Sequence, residues 1–316
     1  MIEVRRVAVL REVARLGSFN QAAASLRLTP SAVSQQISTL EREIGTAVVH
    51  RSTRGVHLTE AGRVLVEAGD AIAAELSQAE REIARLGTPD SLTVATFTSG
   101  GQRLLPPALT RFAAERPGVE LTVLENEPAD ALPLVRSGAA DLALVYHFDD
   151  LPPVRPQDRS GLTWTPLLDD PMWIVLPSGH HLEGRESVTI ADLADERWVH
   201  GCLEIVDMLD HYAALAGYQV RTACRGTDYV FAQSLVRADV GISMIPQVAL
   251  TASQGGLATV PLAPPCPCRY IGIVTPQRRR PNPLTAALVQ ALHDTVAALP
   301  TARPAARSGR PDRPGA

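Results

Sequence analysis

Ser31, Gln35, Ser38 and Arg42 stand three and four residues apart in "TPSAVSQQISTLEREIG" (29–45). At about 100° per residue they share one stripe of a helix. Val33, Ile37, Leu40 and Ile44 share the opposite stripe. The apolar stripe suits a core. The other offers hydroxyls, an amide and a guanidinium, the groups that bond to base edges and phosphates; the plainer alternative is a solvated helix face. Elsewhere the chain offers little chemistry. It has no phosphate-binding Walker loop, no GxGxxG and no GxSxG elbow, so no catalytic residue is assigned and an enzyme is not expected. His180-His181 with Glu183 lacks the i,i+4 spacing of a metalloprotease helix and reads as a surface loop. Cys202, Cys224, Cys266 and Cys268 form no CxxC pair, so they read as ordinary reduced thiols rather than zinc ligands. Neither metal nor cofactor is expected.

The elements that must position the polar stripe are written locally. Ser18 followed by Gln21 is a capping box, so a helix begins at Phe19 and carries Phe19, Ala22, Ala23 and Leu26 at helical spacing. Thr29 is a good N-cap and Pro30 suits the first helical position. The second helix therefore runs from Pro30 to Ile44, with Gly45 as its stop. Helix, short turn and polar-faced helix make a helix-turn-helix. In "TAVVHRSTRGVHLTEAG" (46–62), Val48-Val49 and Val56–Leu58 flank a turn near Arg54-Gly55, a hairpin or wing whose Arg51 and Arg54 suit phosphates. Thr59 caps a long helix from Glu60 to Leu86. Its apolar positions Ala61, Leu65, Ala68, Ile72, Leu76, Ala79, Ile83 and Leu86 keep steps of three and four. A seam so long and narrow favours a partner helix, hence a dimer, over packing within the chain.

Residues 17–66, "GSFNQAAASLRLTPSAVSQQISTLEREIGTAVVHRSTRGVHLTEAGRVLV", resemble the LysR-type transcriptional regulators, in the family's order of helix, turn, recognition helix, wing and "LTEAG". "VVHR" stands where the family usually has "LFxR". The likeness continues, more weakly, to about residue 299. It implies a winged helix-turn-helix (1–59), a linker helix for dimerisation (60–87) and a two-lobed effector domain like the periplasmic binding proteins (91–299), with double-stranded DNA, a homodimer or tetramer, a small-molecule effector and RNA polymerase as partners. On that reading Ser31, Ser34 and Gln35 approach bases, with Thr29 and Pro30 at the helix mouth. Asn20 and Ser38 join the DNA face, and Ser18, Arg51 and Arg54 hold phosphates.

The C-terminal half supports an α/β overall class. After "GTPDS" (87–91), short strand-like runs at 92–97, 119–125, 141–146, 172–177, 197–200, 241–246 and 269–275 alternate with helical segments Leu104–Glu115, Ala131–Ser137, Val206–Ala216, Tyr229–Ala238 and Leu284–Leu299. That rhythm predicts largely parallel sheets. Ligands of such sheets sit where strands end and helices begin. Thr98 and Ser99 in "TFTSGG" follow the first strand, at the family's effector-loop offset. Glu125 and Tyr146 end the next two strands. His200, Gly201, Thr227 and Asp228 should face the cleft from the second lobe. In "SLVRADVGISMIP", Asp239 stands where the family commonly has Gly, which leaves the local turn open. "HGCLE" around Cys202 resembles the peroxide-sensing members, yet their close downstream second cysteine is missing: position 210 is Asp and the next thiol is Cys224.

Charge and composition agree. All thirty basic residues are Arg. Residues 1–60 hold eight Arg against five Glu, a net of +3, in a chain of net charge −4, so the rest carries −7. A basic head on an acidic body suits DNA binding by one end. No apolar run approaches a membrane span and no signal-peptide core is present, so a cytoplasmic location is expected. The tail "PTARPAARSGRPDRPGA" (300–316) is expected to be disordered. One consequence follows for the wing. Arg54→Ala should weaken binding to all DNA sequences alike and lower the salt slope by about one unit. Titrations over a range of salt concentrations test this, and an unchanged slope would exclude Arg54 from phosphate contact.

Overall fold

The computed structural model describes residues 2–52, 55–84, 90–148, 161–250, 255–277 and 282–299. The wing tip with Arg54, the Arg51 side chain, Leu86 and the tail lie outside the described residues.

The head forms where its local signals lie. Helix α1 (Val4–Leu16), which the sequence reading did not single out, precedes α2 (Phe19–Leu26) and α3 (Pro30–Ile44). The Ser18 hydroxyl accepts the Gln21 N–H at 3.4 Å, and that of Thr29 accepts the Ala32 N–H at 3.2 Å. Gly45 ends α3 at φ 77°, a left-handed position where glycine carries no Cβ penalty. Val33, Ile37 and Leu40 of α3 are fully buried against Leu10, Val13, Ala22 and Ala23. Strands β1 (Val49–Ser52) and β2 (Gly55–Leu58) pair antiparallel. Glu41 at the foot of α3 accepts the Val48 N–H at 2.9 Å, so the wing and α3 move as one piece.

Helix α4 (Glu60–Ala84) is capped by Thr59, whose hydroxyl accepts the Gly62 N–H at 3.0 Å. One side of it packs on α1, where Arg11 meets Asp70 at 2.6 Å. Leu65 belongs to that packed side, against the head core, so it does not share the proposed seam. Val64, Ile72, Leu76 and Ile83 are exposed.

The rest is a two-lobed α/β unit. In the first lobe β3 (Ser91–Thr96) pairs parallel with β4 (Glu120–Glu125) and β5 (Leu142–His147). Helices α6 (Leu105–Glu115) and α10 (Pro283–Ala297) cover one face, and α7 (Pro128–Ser137) covers the other. The second lobe contains β7 (Arg197–His200), β8 (Arg221–Arg225), β9 (Ser243–Pro246) and β10 (Leu257–Pro261) with α8 (Glu204–Leu215) and α9 (Tyr229–Arg237), around a fully buried Trp198. Two strands join the lobes. The sixteen-residue β6 (Leu162–Pro177) pairs with β11 (Cys268–Pro276) in its first half and with β9 and β10 in its second.

These crossover strands correct the expectation of largely parallel sheets. Every ladder of β6 and β11 is antiparallel, and among the described strands β3–β4, β3–β5 and β7–β8 pair in parallel. A strand that leaves one lobe and another that returns must run in opposite directions. Asp239 does adopt the turn in question, at φ 59° with its N–H on the Val236 carbonyl; a short polar side chain tolerates that conformation.

Gly62 is a close approach of helix to wing. A Cβ there would run into the Val48 carbonyl, with Leu58 Cδ2 at 3.1 Å. Gly62→Ala should therefore destabilise the head by about 1–3 kcal/mol. Gly118, with no atom within 4 Å of its Cβ position, should tolerate Ala to within about 0.5 kcal/mol. Calorimetric melting of both variants tests this, and equal melting curves would refute the contact.

Candidate functional site

On α3 the side chains of Thr29, Pro30, Ser31, Gln35 and Ser38 are exposed, as is Asn20 on α2. Ser18 and Ser34 are half-buried. Thr29 Oγ1 and Ser31 Oγ lie 3.0 Å apart, and Arg42 reaches back to Thr39 Oγ1 at 2.9 Å. The buried stripe on the helix's other side prevents α3 from turning this face inward. His50 and His57 are register partners on the wing's exposed face; no local pattern marked them.

The second site lies between the lobes. Short helix α5 (Thr98–Arg103) begins where a loop had been expected, directly after β3. Thr98, Ser99 and Tyr146 from the first lobe meet Gly201, Thr227 and Asp228 from the second around one cavity of about 30 Å³. That holds roughly one or two water molecules. A larger ligand must displace some of these walls or extend out through the mouth of the cavity. Within the second lobe Gly201 lets α9 approach this wall, since a Cβ there would lie 2.6 Å from Tyr229 Cδ1.

Two of the expected residues do not line the cavity. Glu125 instead accepts the Thr98 hydroxyl at 2.7 Å and braces it from the rim. His200 is buried, with Nε2 3.2 Å from Thr222 Oγ1 on the neighbouring strand, because its strand direction turns it into the second lobe. Burial, aided by the Arg225 charge, holds its pKa below the usual imidazole value.

Residues not anticipated complete the wall: Glu127, Cys202, Tyr229 and above all Arg269. Arg269 is 1% exposed and faces its register partner Asp170, which is fully buried, with Nε and Nη2 at 2.8 and 2.7 Å from Oδ2. Its guanidinium lies 5.1 Å from the ring centres of both Phe97 and Tyr146 and 6.0 Å from that of Tyr229. Burial pulls the Asp170 carboxyl above the usual carboxylate range, opposed by the Arg269 charge and the Val248 N–H at 2.9 Å. Arg269 stays charged, and that charge favours the ionised form of the carboxyl opposite it. The Tyr146 hydroxyl donates to Glu127 at 2.7 Å and lies 3.9 Å from Cys202 Sγ; burial pushes its pKa far upward. Ser99 Oγ is buried in the same wall and has no hydrogen-bond partner among the described residues.

A winged helix-turn-helix with a polar recognition face, joined by one long helix to two lobes closed on a small polar cavity, defines a ligand-responsive DNA-binding protein. The comparisons with known proteins agree. The helix-turn-helix model described as "Bacterial regulatory helix-turn-helix protein, lysR family" matches residues 4–63, and "LysR substrate binding domain" matches residues 87–297. The chain belongs to the LysR family of DNA-binding transcriptional regulators, with an effector-binding C-terminal domain. It is a regulator and not an enzyme. It is 32% identical over 275 residues to a "Probable hydrogen peroxide-inducible genes activator" of Mycobacterium avium, which covers 83% of this chain and 84% of that one. A full-length OxyR variant from Pseudomonas aeruginosa has the same fold at 20% identity and TM-score 0.55, covering 98% and 99% of the two chains. CbnR complexed with its target DNA does so at 20% identity and TM-score 0.52, covering 93% and 100%. Among the described residues no helix is long and apolar enough to cross a membrane.

The buried ion pair makes a specific demand. Asp170→Asn leaves a buried cation without its counter-charge and should cost about 3–5 kcal/mol, whereas Asp170→Asn with Arg269→Met should recover much of that loss. Melting of the two variants tests the coupling, and additive losses would contradict it.

Proposed function

We propose that this regulator reads DNA through Ser31, Ser34 and Gln35, with Thr29 and Pro30 at the mouth of α3, and changes its DNA-bound arrangement when a small polar effector enters the cavity between the lobes. Asn20 and Ser38 extend the DNA face, and Ser18, Arg51 and Arg54 hold phosphates. The exposed Ile72, Leu76 and Ile83 on α4, joined by Val64, form the seam of a homodimer, which brings two heads to two half-sites. RNA polymerase is the partner on which the DNA-bound form acts, and DNA binding implies work in the cytoplasm.

The observation that carries the effector reading is Ser99: a buried hydroxyl without a partner, in a cavity walled by polar groups from both lobes. A buried polar atom left unsatisfied costs about 1–3 kcal/mol, and a ligand oxygen removes that cost. The Arg269 charge is paired with Asp170, although its buried Nη2 makes no hydrogen bond among the described residues, and Glu127 and Asp228 add negative charge. The effector is therefore a small polar molecule with at most one carboxylate. Thr98, Tyr146, Gly201 and Thr227 surround it. Glu125 supports Thr98 from outside, and His200 acts through the strand that carries Gly201.

A second reading is favoured by Cys202. Its thiol lines a cavity no larger than a small oxidant, beside the Tyr146 hydroxyl, and the Mycobacterium avium relative is named for hydrogen peroxide. In that case the Cys202 thiolate attacks one peroxide oxygen, the O–O bond breaks, and the protein carries a sulfenic acid while hydroxide leaves and takes up the proton the thiol gave off, as water. No second cysteine nearby follows it in sequence, so a disulfide with a close downstream thiol is not the product.

One experiment separates these readings. The full chain is melted with a panel of small monocarboxylic acids, and hits are carried into promoter footprinting; a saturating ligand at 100 times its Kd adds about 2.7 kcal/mol. Ser99→Ala should abolish the footprint change and leave ligand-free DNA affinity intact. A full response in Ser99→Ala removes this residue from the site. Response to hydrogen peroxide alone, lost in Cys202→Ser, selects the second reading.

A further inference from the structure

Away from the cavity, β6 ends at Pro177 and the chain turns through residues 178–184 before returning towards β7. Two adjacent histidines in this turn face one carboxylate from a different segment. His180 Nε2 lies 3.4 Å, and His181 Nε2 3.9 Å, from the same Glu196 Oε1. The ligand atoms of all three residues lie within 4.8 Å of one another. The imidazole rings tilt by 32° with centroids 4.5 Å apart. Glu183, the acid nearest to them in sequence, is turned away and accepts the Gly179 N–H at 2.5 Å. Glu196 is brought in by the 3-10 turn at Ala191–Leu193, where its N–H bonds to the Leu193 carbonyl at 3.1 Å.

We propose that His180, His181 and Glu196 form a binding site for a divalent first-row metal of the zinc, cobalt or nickel class. The spacing fits the ion. Two ligands each about 2.05 Å from a tetrahedral centre are about 3.4 Å apart, which matches the separation of His180 and Glu196. The His181 side chain is 65% exposed and stands 3.9 Å from the same Glu196 oxygen, so it is placed to swing in and complete the set, whose ligand atoms already lie within 4.8 Å of one another. His180 and Glu196 are 14% and 18% exposed, so two of the three ligands are already held in place. Two imidazoles with a carboxylate select such ions over magnesium and calcium, which prefer oxygen ligands alone. Three protein ligands leave the remaining position to water.

Binding has a definite proton cost. His180 Nδ1 accepts the Leu182 N–H at 3.3 Å, so the neutral ring carries its proton on Nε2, facing Glu196. A metal on Nε2 moves that proton to Nδ1 and breaks the bond to Leu182. The turn then rearranges around Leu182. The loaded ion ties the turn to the root of β7, whose other end leads to Gly201 and Cys202 in the cavity wall.

The test uses the full-length, chelator-stripped protein titrated with Co(II) alone. One equivalent should bind with the visible bands of nitrogen and oxygen coordination, without thiolate charge transfer, and raise the melting temperature. His181→Ala, at an exposed position, and Glu196→Gln should each weaken binding by about tenfold or more and leave the metal-free melting curve unchanged. A wild-type chain that binds no Co(II) saturably overturns the site. So do variants that bind it as tightly as wild type, or bands of cysteine coordination.

Discussion

The Asp170–Arg269 pair stands where both crossover strands pass from one lobe to the other. Its partners are direct neighbours in the β6–β11 ladder, and its guanidinium lies near rings of both lobes: Phe97 and Tyr146 on one side, Tyr229 on the other. Removing two charges from water is expensive, and their attraction offsets this only with good geometry and further bonds. The Val248 N–H on Asp170 and the three rings around Arg269 supply them. The arrangement is costly to break and insensitive to ionic strength.

A cavity fixed in this way can act at a distance only through the angle between its lobes. Ser99 and Tyr146 move with the first lobe, and Gly201 and Asp228 with the second. At about 30 Å³ the enclosed part of the cavity is smaller than a metabolite, so a ligand of that size would favour an arrangement in which its walls stand further apart. It shifts the population only as far as it prefers that form, because equal affinity for both changes nothing. The first lobe meets α4 through α7, and α4 meets the head through α1. Arg11 and Asp70 anchor that last contact. A lobe rotation can therefore reorient the heads without altering any base contact on α3.

The head was legible because its instructions are local. Ser18 marks the start of α2, and Thr29, Pro30 and Gly45 mark both ends of α3 to the residue, since each cap acts within three positions; the end of α2 at Leu26, with Arg27 in a left-handed conformation, carried no such signal. The apolar stripe of α3 likewise reports a core that short loops bring together. The effector half was legible as alternating strands and helices, but not in its strand directions, nor in β8 and β10. Short runs such as "RTACR" have no clean alternation, and their pairing depends on partners far along the chain. Six of the eight residues expected at the cleft line it, because strand ends and helix starts are visible in sequence. Arg269 and Asp170 were invisible for the opposite reason. Ninety-nine residues separate them, and nothing near either one announces a partner.

Leu65 and His200 show what pattern reading loses. Leu65 fits the periodicity of the seam, yet the head core claims it. The periodicity of a helix packed on two sides cannot say which side meets which partner. His200 ends a strand at the cleft, where polar residues usually face a ligand, but Thr222 on the adjacent parallel strand takes its imidazole. Its neighbour Gly201 then contributes by having no side chain at all: the absent Cβ lets Tyr229 close over the guanidinium of Arg269. The cavity wall on that side is thus built by backbone approach and one aromatic ring. The groups left to meet a ligand are Ser99 Oγ from the first lobe, Arg269 Nη2 from the crossover strand and the Tyr229 hydroxyl from the second lobe, each buried without a hydrogen bond among the described residues.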